Sequence, residues 1–168
     1  MPAVGYVITS DDIKNLAKVL RAVSPQLGRE MRRAVREAAK PVMTDMKATI
    51  GGNAMSVAGG GVHAYDGPTG PGGITGKMVR SLSMRISGGK VRIYVRPGAM
   101  GSAAKIPAYI DAGQSWRHPV YGNRKAWVSQ TGSASKWFTG TAVKHYPQVK
   151  ADVQDVLDEF AAKVAAMV

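Results

Sequence analysis

The residues that could do acid–base or metal chemistry near neutral pH are three histidines, His63, His118 and His145; the chain has no cysteine. Thiolate ligands, cysteine nucleophiles and disulfides are therefore excluded. No two histidines stand at the i, i+3 or i, i+4 spacing of a helical metal site. His63 falls in a glycine-rich stretch that fixes no register, His118 precedes Pro119 in a turn-like context, and His145 beside Tyr146-Pro147 reads as a helix surface residue. The acids are few and mostly crowd the ends of helical segments, so no carboxylate pair suggests general acid–base hydrolysis. Two glycine runs, Gly59-Gly60-Gly61 and Gly70-Pro71-Gly72-Gly73, could be mistaken for phosphate cradles. A Walker loop needs GxxxxGK[ST] between a strand and a helix. Here Lys77 is followed by Met78, and the glycine spacing is wrong. No catalytic set, metal or cofactor is expected, and the chain reads as a non-enzyme.

What the sequence does carry is charge. The 168 residues have a formal net charge of +12. From Gly67 to Lys150 there are thirteen Lys or Arg residues and one acid, Asp111. The tail then reverses sign, with Asp152, Asp155, Asp158 and Glu159 against Lys163. Solubilising charge is usually mixed in sign. A one-signed field of this kind suits a phosphate-bearing partner or an acidic protein surface.

Positioning these charges requires elements, and the apolar spacing supplies them. Gly5–Thr9 reads as a short edge strand. Ser10 is placed to cap a helix over 11–23, with Asp11 and Asp12 in its first turn. Its stripe is Ile13, Leu16, Ala17, Leu20 and Val23. Ser24-Pro25 ends that helix and opens a longer one over 26–49. That helix has an apolar face of Leu27, Met31, Ala34, Val35, Ala38, Val42, Met46 and Ile50. Its surface carries Arg29, Arg32, Arg33, Arg36 and Lys40, and Pro41 should bend it. Residues 51–76 hold ten glycines. Such a stretch reads as a functional loop, or as one ordered only by neighbours. After a helical turn at 77–82, two alternating runs flank Gly88-Gly89 and read as a hairpin. Met84, Ile86, Val91, Ile93 and Val95 form its inner face. Arg85, Arg92, Tyr94 and Arg96 form the outer one, facing a polyanion or guarding an edge. Ile106–Gly113 reads as a short helix ended by glycine. A final helix spans 137–168, bent near Pro147, with a stripe of Val149, Val153, Val156, Leu157, Phe160, Val164 and Met167.

The expected class is α+β, with a small antiparallel sheet containing the hairpin packed against long N- and C-terminal helices. The length suits one domain, which buries roughly 70% of its unfolded surface. The amino terminus lacks a basic region followed by an apolar core, so no signal peptide is expected. No run approaches the roughly 18 apolar residues that span a bilayer.

The densest stretch is Trp116-Arg117-His118-Pro119-Val120-Tyr121-Gly122-Asn123-Arg124, then Trp127-Val128-Ser129-Gln130, then Trp137-Phe138. It resembles a segment of the small head–tail connector, or tail-completion (neck), proteins of long-tailed bacteriophages. In that family an RHPVxGN turn precedes a WVxQ strand and a WF pair that opens the last helix. The order of elements is similar across nearly the whole chain, most closely over Lys77–Phe138. The resemblance implies a structural virion protein, assembled in the host cytoplasm as a homo-oligomeric ring at the head–tail junction. Its neighbours would be connector or stopper proteins and tail-terminator or tail-tube proteins, with DNA in the lumen and no membrane. Trp116, Arg117, His118, Tyr121, Asn123, Trp127, Trp137 and Phe138 would form an interface corner. One departure stands out: the family has a proline and glycine before the WF pair, where this chain has Ser133-Ala134-Ser135-Lys136. A tail-terminator protein and a free basic DNA-binding protein are the alternatives.

Overall fold

The computed structural model describes residues 5–9, 11–52, 55–57, 74–87, 90–120 and 123–167. The elements run β1 (Gly5–Thr9), α1 (Asp11–Val23), α2 (Pro25–Gly51), β2 (Met55–Val57), α3 (Ile74–Ser81), β3 (Leu82–Ser87) and β4 (Lys90–Val95). They continue with α4 (Pro97–Met100), α5 (Ile106–Asp111), β5 (Trp116–Val120), β6 (Asn123–Gly132) and α6 (Thr139–Ala165). The fold is α+β, and its strands form two three-stranded sheets rather than one, in the orders β1-β4-β3 and β2-β6-β5. By their internal contacts the residues divide into two compact units. One comprises Met1–Val4, Asp45–Ser83 and Tyr94–Thr141, the other Gly5–Thr44, Met84–Ile93 and Ala142–Val168.

In the second unit α1 keeps the expected bounds. Ile13 and Leu20 are buried, but Val23 is 46% exposed and not part of the stripe. It lies at the margin of the face centred on Ile13, Ala17 and Leu20, and the chain turns away directly after it. Ser24 and Pro25 join the helices: the Leu27 N–H points at Ser24 Oγ across 3.5 Å, while Pro25, with no N–H to satisfy, takes the first helical position. Buried Gly28 brings α2 close to the end of α1, since a Cβ there would lie 3.9 Å from the Leu20 Cβ. Met31, Val35, Ala39, Val42, Met46 and Ile50 then recur on one fully buried face of α2. On α6 the buried row is Val149, Val153, Leu157 and Phe160. Met167 is 59% exposed, because the helix has ended before it.

The hairpin β3–β4 alternates as its sequence requires. Val91, Ile93 and Val95 are buried, and Arg85 and Arg92 are exposed. Strands joined by two residues must be antiparallel. Its turn, Gly88-Gly89, lies outside the described residues, as does Ser10. Because β4 is the middle strand of its sheet, Arg92 and Tyr94 cannot be edge guards; that explanation survives only for Arg85 on β3.

In the first unit one expectation is trimmed at its ends and one fails. Within the glycine-rich stretch, Met55–Val57 form β2, paired antiparallel with β6 through Met55–Gly132, Ser56–Thr131 and Val57–Gln130. Helix α3 also begins at Ile74, inside that stretch; residues 58–73 lie outside the description. The failure concerns Trp116–Val120, which is a strand and not a turn. Trp116 faces Gln130, Arg117 faces Ser129, His118 faces Val128 and Pro119 faces Trp127, with a register shift between Pro119 and Val120. Proline is tolerated because β5 is an edge strand.

Candidate functional site

The aromatic signature is held by α5 and the turn that precedes α6. Helix α5 ends in a paired glycine cap: the Gly113 N–H donates to Ile110 O at 3.0 Å and the Gln114 N–H to Tyr109 O at 2.8 Å. Gly113 supplies the required left-handed backbone at φ 66°. This stop leaves Asp111, 8% exposed, facing the turn at 134–139. One carboxylate oxygen, Oδ1, accepts the N–H groups of Phe138 at 2.7 Å and Thr139 at 3.0 Å. These are donors that a helix N-terminus cannot satisfy internally. The carboxylate also sits at the positive end of the helix dipole. The Asp111 carbonyl accepts the Lys136 N–H at 2.7 Å, so one residue binds the turn through side chain and backbone.

Trp137 and Phe138 are each 1% exposed and meet edge to face, with ring centroids 5.4 Å apart. The Trp137 indole N–H donates to the Pro107 carbonyl at 3.2 Å, tying the turn to the start of α5. The pair precedes α6 rather than opening it; the helix begins at Thr139, after the capped N–H groups. Lys136 holds φ 57°, a left-handed conformation that glycine adopts at no steric cost.

The expected interface residues separate into two sets. Trp116, Trp137 and Phe138 are buried within the chain, where they serve as scaffold. Trp127 is 47% exposed on β6, and Arg117 is exposed on β5. His118 and Asn123 are placed in strands β5 and β6 by their backbones, and Tyr121 lies outside the described residues. Arg85, Arg92 and Arg96 are all exposed. Arg96 has a structural task as well: its guanidinium donates to Arg80 O at 3.1 Å and its N–H to Ser81 O at 2.9 Å, meeting carbonyls at the end of α3. Sequence reasoning missed Asp111 as the organiser of the corner. Its signal was its isolation as the one acid in a long basic stretch.

Among the described residues, no group of three or more His, Asp or Glu converges on a point where a metal could sit. His145 lies half-buried on α6, and His63 is outside the description. No helix among the described residues is long and apolar enough to cross a membrane. Comparison of the chain with known protein families, with curated proteins and with solved structures finds no match.

Proposed function

We propose that this chain is a structural subunit of a long-tailed phage, forming a ring at the head–tail junction between the portal complex and the tail tube. The observation that carries the proposal is the division of labour within the aromatic signature. Asp111, Pro107 and the turn at 134–139 fix Trp137 and Phe138 inside, while Trp127 stands half-exposed on the adjoining hairpin beside exposed Arg117 and Lys125. Aromatic and arginine side chains on a rigid scaffold are what protein interfaces favour, since they cover area with few rotors. The excess of cations from Gly67 to Lys150 suits a wall around packaged DNA, where phosphate repulsion must be offset.

The test has two parts. Electron microscopy of the purified chain should show rings, and an antibody against it should label the neck of phage particles released from cells carrying its gene. Label at the far end of the tail, or only on free protein, overturns the proposal. A monomer that binds duplex DNA unaided, with affinity falling steeply in salt, would instead establish a free DNA-binding protein.

A further inference from the structure

Two helices of this chain carry charge rows of opposite sign and matching period. On α2, Arg29, Arg33 and Arg36 are exposed, and at 3.6 residues per turn they fall within an arc of roughly 60°. On α6, Asp152, Asp155 and Glu159 fall in an arc of similar width, Asp155 and Glu159 exposed and Asp152 half-exposed. Each row lies to the side of its helix's buried face, which on α2 is Met31, Val35 and Val42 and on α6 is Val153, Leu157 and Phe160. The spacings are four then three residues on α2, and three then four on α6. Read in opposite chain directions they coincide, with steps of about 4.5 and 6 Å along each axis.

Among the described residues only one member of the rows is engaged by an opposite charge, Glu159, by Lys163. Arg29, Arg33 and Arg36 form no ion pair among the described residues, while Lys40 is paired locally with Glu37 at 2.9 Å. Asp152 accepts only the neutral amide of Gln148, at 2.7 Å. Like charges three and four residues apart destabilise their own helix, so each row is relieved by an opposite one.

We infer that α2 of one copy docks antiparallel against α6 of a neighbouring copy, with Arg36 facing Asp152, Arg33 facing Asp155 and Arg29 facing Glu159. This inference rests on the ring proposed above, for which it supplies the contact between subunits. The antiparallel alignment uses the three unpaired arginines. A parallel one would match Arg33, Arg36 and Lys40 to the acids, setting Lys40, held by Glu37, against Glu159, held by Lys163, so two local pairs would compete with it instead of one. Different patches meet in this contact, as a ring that closes head to tail requires. Exposed ion pairs are individually weak, so the rows fix register and partner choice more than they supply affinity.

The experiment is a charge swap read by native mass spectrometry and sedimentation at low and high salt. The R33E/R36E variant and the D152R/D155R variant should each fold, by circular dichroism, yet lose the assembled species. Mixing the two should restore it, because every contact in an alternating assembly then joins opposite charges. A single chain carrying all four changes should assemble alone. Rings that persist in R33E/R36E overturn this contact and leave the ring standing. Smaller assemblies that obey the swap keep the contact and remove the ring. Loss in both variants without rescue on mixing overturns the contact. So does R33E/R36E assembling normally while losing affinity for a duplex DNA fragment, which would make the α2 row a nucleic-acid surface.

Discussion

The Oδ1 atom of Asp111 lies 2.7 Å from the backbone nitrogen of Phe138, across 27 residues of sequence. A second N–H, from Thr139, shares the same oxygen. The lone acid of the basic stretch therefore faces inward, as the cap of the longest helix in the C-terminal half.

Asp111→Ala should destabilise the protein by about 2 kcal/mol, combining a lost cap with two unpaired N–H groups. Asp111→Asn keeps an acceptor oxygen and should cost only about half as much. Thermal melting of both variants checks the order; equal, small losses would mean that water replaces the carboxylate.

Trp137→Phe keeps most of the ring but removes the N–H that reaches Pro107 O. The carbonyl loses its side-chain donor and a small cavity opens, for a cost of about 2 kcal/mol. Urea unfolding should show an earlier midpoint with an unchanged slope.

Two backbone positions make opposite predictions. Gly113→Ala places a methyl at φ 66°, with its Cβ 3.4 Å from the Ser135 Cβ, and should cost about 1–2 kcal/mol. Lys136→Gly relieves a left-handed lysine and should raise stability by up to about 1 kcal/mol. Calorimetry of the pair decides; a stabilising alanine at 113 would disprove the cap geometry.

Trp127→Ala removes a side chain that is 47% exposed. It should leave the melting temperature within a few degrees of the parent, since surface changes stay small, and, on the proposed function, should abolish incorporation into particles. Normal particles containing the variant would remove Trp127 from any interface.

Arg85→Gln with Arg92→Gln tests the outer face of the hairpin. If that face meets DNA, each lost phosphate contact should reduce the slope of log affinity against log salt by about 0.9. An unchanged slope, with DNA retention intact in assembled particles, leaves these arginines only to solubility.

Much of the helical architecture was legible because its determinants are local. Asp11–Val23 and the long α2 follow from apolar spacing and from Ser24-Pro25. The alternation of Val91, Ile93 and Val95 with Arg92 and Tyr94 was likewise readable. What escaped was set by distant partners. Met55–Val57 is too short to show a period and is a strand only because β6 lies beside it. Trp116–Val120 contains Pro119 and so looked like a turn, a judgement that edge position reverses. Asp111 caps a helix that starts 28 residues later, a pairing no window of sequence displays. At the candidate site, the aromatic types were visible, but which of them face outward was not. That division depends on the Pro107 carbonyl and on the left-handed Lys136.

The rims of the β2-β6-β5 sheet bear on how copies can meet. One rim is a strand of three residues, too short to template another chain. The other carries Pro119, which offers no N–H to an incoming strand. Growth by adding strand to strand is disfavoured along both described edges, so this sheet is a poor seed for a continuous ribbon of subunits. At this sheet association is left to side-chain faces, where each copy stays a separately folded part that can be placed, counted and replaced.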